Sequence, residues 1–402
     1  MVISRTMPIA NRLILLAWLS VATLSTTSAT GSPSCFTETY EENKVLLNCA
    51  HTHMRRLNVS GHDAGLKRVV YMLDVSDNEI SVVSERALSD FAGLNILILS
   101  RNRLNDTRAL HFGLRSLARL QVLDLSFNKL EHLSWGFLQN VPGLKILDVS
   151  NNLIGAISPP PAPEKVALEK LLISHNPLRC IENVPIGVRD LDLSGTEATP
   201  QELTRLSAFN NLVYLKLDRM PNLNETLKRT FGELENLEEV SFRSCRNLVR
   251  LDEDTFSRGN RKLRWVDLSH CALTTLPKKL EPVLLRLQWL DLRGNPWSCD
   301  RRIHWMWRLH LAPALTVPEF RCVNPPGLRN MGSSNFLATR VHLHSVHSKM
   351  LAGVWLTILI GAAAVAVYMI KRRLNRIKLN VDTAKYSVRH YSRLNESSDN
   401  VY

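Results

Sequence analysis

Leu94-Asn95-Ile96-Leu97-Ile98-Leu99-Ser100-Arg101-Asn102 is echoed by Leu120-Gln121-Val122-Leu123-Asp124-Leu125-Ser126-Phe127-Asn128, and again by Leu144-Lys145-Ile146-Leu147-Asp148-Val149-Ser150-Asn151-Asn152. Each phrase has the form LxxLxLxxN, with Val149 standing for one leucine. The closing position recurs at Asn78, Asn102, Asn128, Asn152, Asn176, Thr196, Met220, Cys245, Cys271 and Asn295. Successive gaps are 24, 26, 24, 24, 20, 24, 25, 26 and 24 residues. Ten units of nearly one length specify stacked copies of one small motif and not a single compact core.

Within a phrase, residues two apart share a face, so Leu97 and Leu99 point inward while Ile96, Ile98 and Ser100 flank them or face out. One short strand cannot bury that face alone, so neighbouring units pile up and share a core, their strands forming a parallel sheet on the inner wall. The closing Asn supplies two donors and an acceptor to the bare peptide groups of the turn. Thr196, Cys245 and Cys271 replace it in part; Met220 does not, and the ladder is expected to be weakest there.

The phrase and its tandem period resemble the extracellular leucine-rich repeat family. The resemblance implies an α/β fold: a leucine-rich repeat solenoid with a curved parallel β-sheet on its concave face, here followed by one transmembrane helix. Residues 1–29 read as a signal peptide, with Arg5 and Arg12 before the apolar run Leu13 to Leu24. Residues 30–66 are expected to cap the N-terminal end, 67–296 to hold the ten repeats and 297–330 to cap the C-terminal end. A juxtamembrane stalk (331–349), a membrane helix (350–370) and a cytoplasmic tail (371–402) follow. Asn295-Pro296-Trp297-Ser298-Cys299 resembles the start of the family's C-terminal cap, and Val45-Leu46-Leu47-Asn48-Cys49 a strand of its N-terminal cap. That likeness implies bridges within the pairs Cys35 with Cys49 and Cys299 with Cys322. Trp297 and Trp305 are expected to cover the open end of the core. Of seven cysteines, Cys245 and Cys271 read as buried thiols and Cys180 is left over.

Composition is ordinary for a globular chain, 45% hydrophobic and 22% charged. Net charge is +13, but the tail after the apolar run carries +5 of it, which makes nucleic acid an unexpected partner. The 21 uncharged residues Met350 to Ile370 can cross a bilayer. Lys371-Arg372-Arg373 directly after them puts the C-terminus inside the cell, a single-pass type I arrangement in the plasma membrane. The same cations suit anionic inner-leaflet lipid as well as an ordinary stop-transfer role.

The sequence carries no HExxH, GxSxG, GxxxxGK[ST] or CxxC, so neither an enzyme nor a bound cofactor is expected. His342, His344 and His347 have no rigid frame or carboxylate beside them, and no metal site is expected. The recurrent Asp74, Asp124, Asp148, Asp192, Asp267 and Asp291 follow the repeat and read as structural. Pro159, Pro160, Pro161 and Pro163 replace one outer-wall crossing by extended chain.

One outward column runs Met72, Ile96, Val122, Ile146, Lys170, Asp190, Tyr214, Glu239, Trp265 and Trp289. Aromatic and arginine residues concentrate in its last four units, as in binding hot spots. The candidate ligand-binding residues are Tyr214, Lys216, Arg219, Glu239, Arg243, Trp265, Trp289 and Arg293; the competing reading is that the rings only cover neighbouring strands. Asn58, Asn105 and Asn224 begin external N-glycosylation sequons. Tyr391 and Leu394 fit the YxxΦ pattern read by clathrin adaptors.

The resemblance implies a cell-surface protein that binds an extracellular or trans-cellular protein in adhesion or recognition, including at synapses. Two other readings share the same plan: an auxiliary subunit of an ion channel, and an innate-immune co-receptor.

Overall fold

The computed structural model describes residues 35–40, 44–57, 59, 64–160, 167–257, 259–333, 335 and 354–373. The signal peptide, Asn58, Pro161 and Pro163, the three stalk histidines, and Tyr391 with Leu394 lie outside the described residues. The chain divides into two units, Met1–Asn330 and Met331–Tyr402.

Twelve described strands of the first unit form one sheet in chain order, so each repeat adds one strand beside the last. Phe36–Tyr40 and Lys44–Asn48 pair antiparallel at its N-terminal edge. Every later pair, from Val70–Asp74 to Trp289–Asp291, is parallel. The strands are short, Ile96–Ile98 for example, because only the central leucine triplet of each phrase is extended. Leu97, Leu99, Leu123, Leu125, Leu147 and Val149 are sealed from water. Each such side chain contributes about 1.5–3 kcal/mol of burial, which no isolated unit could collect.

Ending the strand costs backbone strain. The residue before each closing position has positive φ, from Asp77 (52°) and Arg101 (53°) to Ser244 (62°) and His270 (58°), with glycine there at Gly195 and Gly294. Eight of the ten are not glycine, and a left-handed residue costs about 1 kcal/mol or more. The compensation is a continued ladder. The Arg101 N–H donates to the Ser126 carbonyl (2.9 Å), Phe127 to Ser150 (2.9 Å) and Arg219 to Arg243 (2.9 Å).

The closing side chains lie inside these turns. Asn128 donates from Nδ2 to the carbonyls of Leu99 (2.9 Å) and Leu125 (3.0 Å), and its Oδ1 accepts from the Leu104 N–H (2.9 Å). Cys245 and Cys271 replace the cross-unit donor with thiols, bonded to the carbonyls of Leu217 (2.9 Å) and Phe242 (3.1 Å). Thr196 reaches one carbonyl, that of Leu193 in its own unit (2.7 Å). Met220 donates nothing, but its buried Sδ lies 3.5 Å from the Thr196 hydroxyl. The strand aspartates accept from the backbone two residues on, Asp124 from Ser126 (2.8 Å) and Asp148 from Ser150 (2.9 Å).

The outer wall is built from short helical turns such as Trp135–Asn140 and Pro200–Leu203. At the C-terminal end, Thr316 pairs with Trp289 and covers the last strand's edge. Trp297 is fully buried and donates to the Leu292 carbonyl (2.8 Å). Trp305 is buried too, and Cys299 is bridged to Cys322. Cys35 is bridged to Cys49 at the other end; Cys180 is free and exposed, Cys245 and Cys271 free and buried. The second unit holds the apolar helix Val354–Arg373, 20 residues with mean hydropathy 2.0. At about 1.5 Å per residue it is long enough to cross a hydrocarbon core.

Candidate functional site

Parallel pairing without slips aligns Lys170, Asp190, Tyr214, Glu239, Trp265 and Trp289 side by side on the inner wall. The column changes character along its length. Ile96, Val122 and Ile146 are half-buried. Lys170 and Asp190 close on each other, Nζ to Oδ2 2.7 Å, with side chains 9% and 19% exposed. That pair neutralises the middle of the wall and was not among the sequence candidates; opposite charges one repeat apart were the available signal.

Beyond it the wall opens. Tyr214 is half-buried, and burial pushes its hydroxyl above the ordinary range. Glu239 is exposed, yet partial burial, then the Glu238 carboxylate beside it, raises its pKa. Trp265 is 36% exposed and Trp289 half-buried, their rings stacked with centroids 4.9 Å apart and planes 17° from parallel. The indoles therefore do cover neighbouring strands, as the competing reading holds, and still leave aromatic surface open to solvent.

The charged candidates do not all join them. Lys216 is exposed on its strand, and Arg243 is exposed two residues past its own, at the rim, with its N–H bonded to Asp218 Oδ1 (2.8 Å). Arg293 is engaged, its guanidinium 2.6 Å from Asp291. Burial would raise the Asp291 pKa, but the bonds from Arg293 outweigh it and hold it low. Arg219 corrects the sequence placement: it belongs to no strand column but to the left-handed turn at φ 54°, on the rim. Asn105 and Asn224 are both exposed, outside the strands.

A second column, two residues further along each strand, holds Asp74, Asp124, Asp148 and Asp192. Burial raises the pKa of Asp74 and of Asp124. Asp148 is pushed up to about 7 by burial and by Asp124 directly opposite on the next strand. The sequence marked these residues as repeat furniture and hid their unsettled charge. Among the described residues no three His, Cys, Asp or Glu side chains converge to hold a metal.

Comparison with known proteins agrees with this architecture. Residues 118–178 match the leucine rich repeat family. The chain is 27% identical to chicken (Gallus gallus) Tsukushi over 226 residues, 56% of this chain and 60% of that one. It is 27% identical to mouse (Mus musculus) leucine-rich repeat transmembrane protein FLRT2 over 255 residues, 63% of this chain and 34% of that one. It thus spans about 60% or less of the length of these relatives. Among solved structures, a chain of the octameric complex of Latrophilin 3, Unc5D and FLRT2 has the same fold, with TM-score 0.54 and 19% identity. The match covers 74% of this chain and 96% of that one. Phrase, ladder, capped ends and family match converge: the first unit folds as a leucine-rich repeat solenoid closed at each end by a disulfide-bonded cap.

Proposed function

We propose that the protein is a single-pass type I receptor of the plasma membrane, its N-terminus outside the cell, that binds an extracellular or cell-surface protein in adhesion or recognition. The contact surface is the C-terminal half of the concave wall: Tyr214, Lys216, Glu239, Arg243, Trp265, Trp289 and Arg293, with Arg219 at its rim. The observation that carries this reading is the stacked, solvent-facing pair Trp265 and Trp289 on a sheet whose register cannot slip. Large rigid rings give contact area at small entropic cost, which is why they dominate hot spots. The 27% likeness to FLRT2, named as a transmembrane protein, and the helix Val354–Arg373 support membrane attachment. A neighbour in fold comes from a protein assembly, Latrophilin 3 and Unc5D with FLRT2, which supports a protein as ligand.

In this reading Asn58, Asn105 and Asn224 carry glycans; Asn105 and Asn224 lie away from the column. The Tyr391 to Leu394 segment serves adaptor-mediated sorting. Cells displaying the full chain, screened against a panel of recombinant ectodomains, test the proposal. A bound ectodomain should be lost when Trp265→Ala and Trp289→Ala are introduced together at equal surface level. Undiminished binding by that double variant refutes the assigned surface.

A further inference from the structure

Three exposed arginines, Arg219, Arg243 and Arg246, share the closing turns of two adjacent coils. The Arg219 N–H donates to the Arg243 carbonyl (2.9 Å), and Arg246 follows three residues later in the same closing turn. All three side chains are exposed, and among the described residues none forms an ion pair. Arg205, Arg250, Arg264 and Arg293 of this half are paired with Glu202, Glu225, Glu238 and Asp291, and the exposed Arg229, Arg261 and Arg286 stand on other segments, so the two adjacent closing turns are where three such arginines share neighbouring backbone. The flanks are small and neutral. Arg219 lies between Gly195 and Ser244 in the left-handed column, and Arg246 occupies the position that Pro221 and Ala272 hold in the adjacent units. The nearby carboxylate, Asp218, is already occupied by the Arg243 N–H and the Ser241 hydroxyl.

Three cations on two adjacent coils, whose backbones lie about 4.8 Å apart, repel one another until a polyanion arrives. Planar guanidinium forks take sulfate or carboxylate oxygens two at a time. An acidic protein segment would need an apolar anchor, and among the described residues no large apolar side chain is exposed within either closing turn, 218–222 or 243–247. The indole column lies four residues before Arg243, five before Arg219 and seven before Arg246 in repeat position, at least about 13 Å along an extended chain. We propose that Arg219, Arg243 and Arg246 form a binding site for a sulfated polysaccharide. The ligand differs from the protein assigned above, and its residues extend beyond that surface.

Immobilised heparin, probed with the full chain in detergent, tests this. The wild type should be retained at physiological salt and released as salt rises, since charge contacts of this kind are salt-dependent. The triple variant Arg219→Gln, Arg243→Gln, Arg246→Gln should bind about tenfold or more weakly, each fork contributing a charge-assisted contact. A comparator with the same charge loss, Arg103→Gln, Arg108→Gln, Arg115→Gln, should match the wild type. Should the triple variant misfold, Arg246→Gln alone, whose side chain makes no bond in the ladder, should weaken binding about threefold. Flow-through of the wild type, equal loss in the comparator, or equally tight binding of desulfated heparin or polyglutamate overturns the proposal.

Discussion

The indole of Trp289 lies on the indole of Trp265, 4.9 Å between centroids, because parallel pairing sets the two residues directly opposite each other on the last two strands. The contact is surface, not core, and stability measurements can tell the difference. A double-mutant cycle on Trp265→Ala and Trp289→Ala should give a coupling of about 1 kcal/mol. Each single variant should cost less than Leu290→Ala, which empties a fully buried position at about 2–5 kcal/mol. Urea unfolding followed by circular dichroism makes the comparison; single tryptophan variants as costly as Leu290→Ala would place the rings in the core.

The turn ladder makes opposite forecasts at two equivalent positions. Asn128→Leu strips three donated contacts and one accepted bond from buried partners, and should cost about 2–3 kcal/mol. Met220→Asn should gain about 1 kcal/mol, because a side chain of similar size would then face the Leu193 and Leu217 carbonyls as Asn does elsewhere. A lowered urea midpoint for Met220→Asn would mean the unit has relaxed around sulfur.

Asp148 sets a pH slope. Its folded pKa of about 7 lies above the ordinary 3.8, so the folded state binds the proton more tightly than the unfolded chain. Its contribution is complete below about pH 4 and fades as pH rises through 7. Asp148→Asn, always neutral, should therefore raise the melting temperature at pH 8 by about 2 °C or more, with the advantage shrinking as pH falls. Calorimetry at pH 5, 6.5 and 8 measures it.

His310 sets the opposite slope in the C-terminal cap. Its Nε2 is buried without a hydrogen-bond partner among the described residues, and burial lowers the pKa from 6.5, partly countered by Glu319. Protonation therefore favours the unfolded chain: the cap is at full strength above pH 6.5 and weakens below it. His310→Phe should remove this acid sensitivity; an unchanged pH 5 melting temperature relative to pH 7, in wild type and variant alike, would dismiss it.

Much of the fold could be read in advance because period and side-chain alternation are local properties. Leu97, Leu99 and Asn102 announce a strand and its turn without reference to anything distant. What stayed hidden depends on through-space neighbours. Arg219 looks like a strand residue until the left-handed turn column is seen, and a non-glycine there gives no warning. The Lys170–Asp190 ion pair and the pKa of Asp148 arise only when coils 20–24 residues apart are set side by side. The aromatic concentration at Trp265 and Trp289 was legible, but their mutual stacking was not, since it needs exact register.

Hydrogen–deuterium exchange of the full chain, with and without the protein partner recovered by the ectodomain screen, tests the central claim most directly. Binding through the concave wall predicts slowed exchange in peptides covering 214–219, 239–243, 265–269 and 289–293. Slowed exchange confined to outer-wall segments such as 200–208 and 278–284, with the wall unchanged, would contradict it.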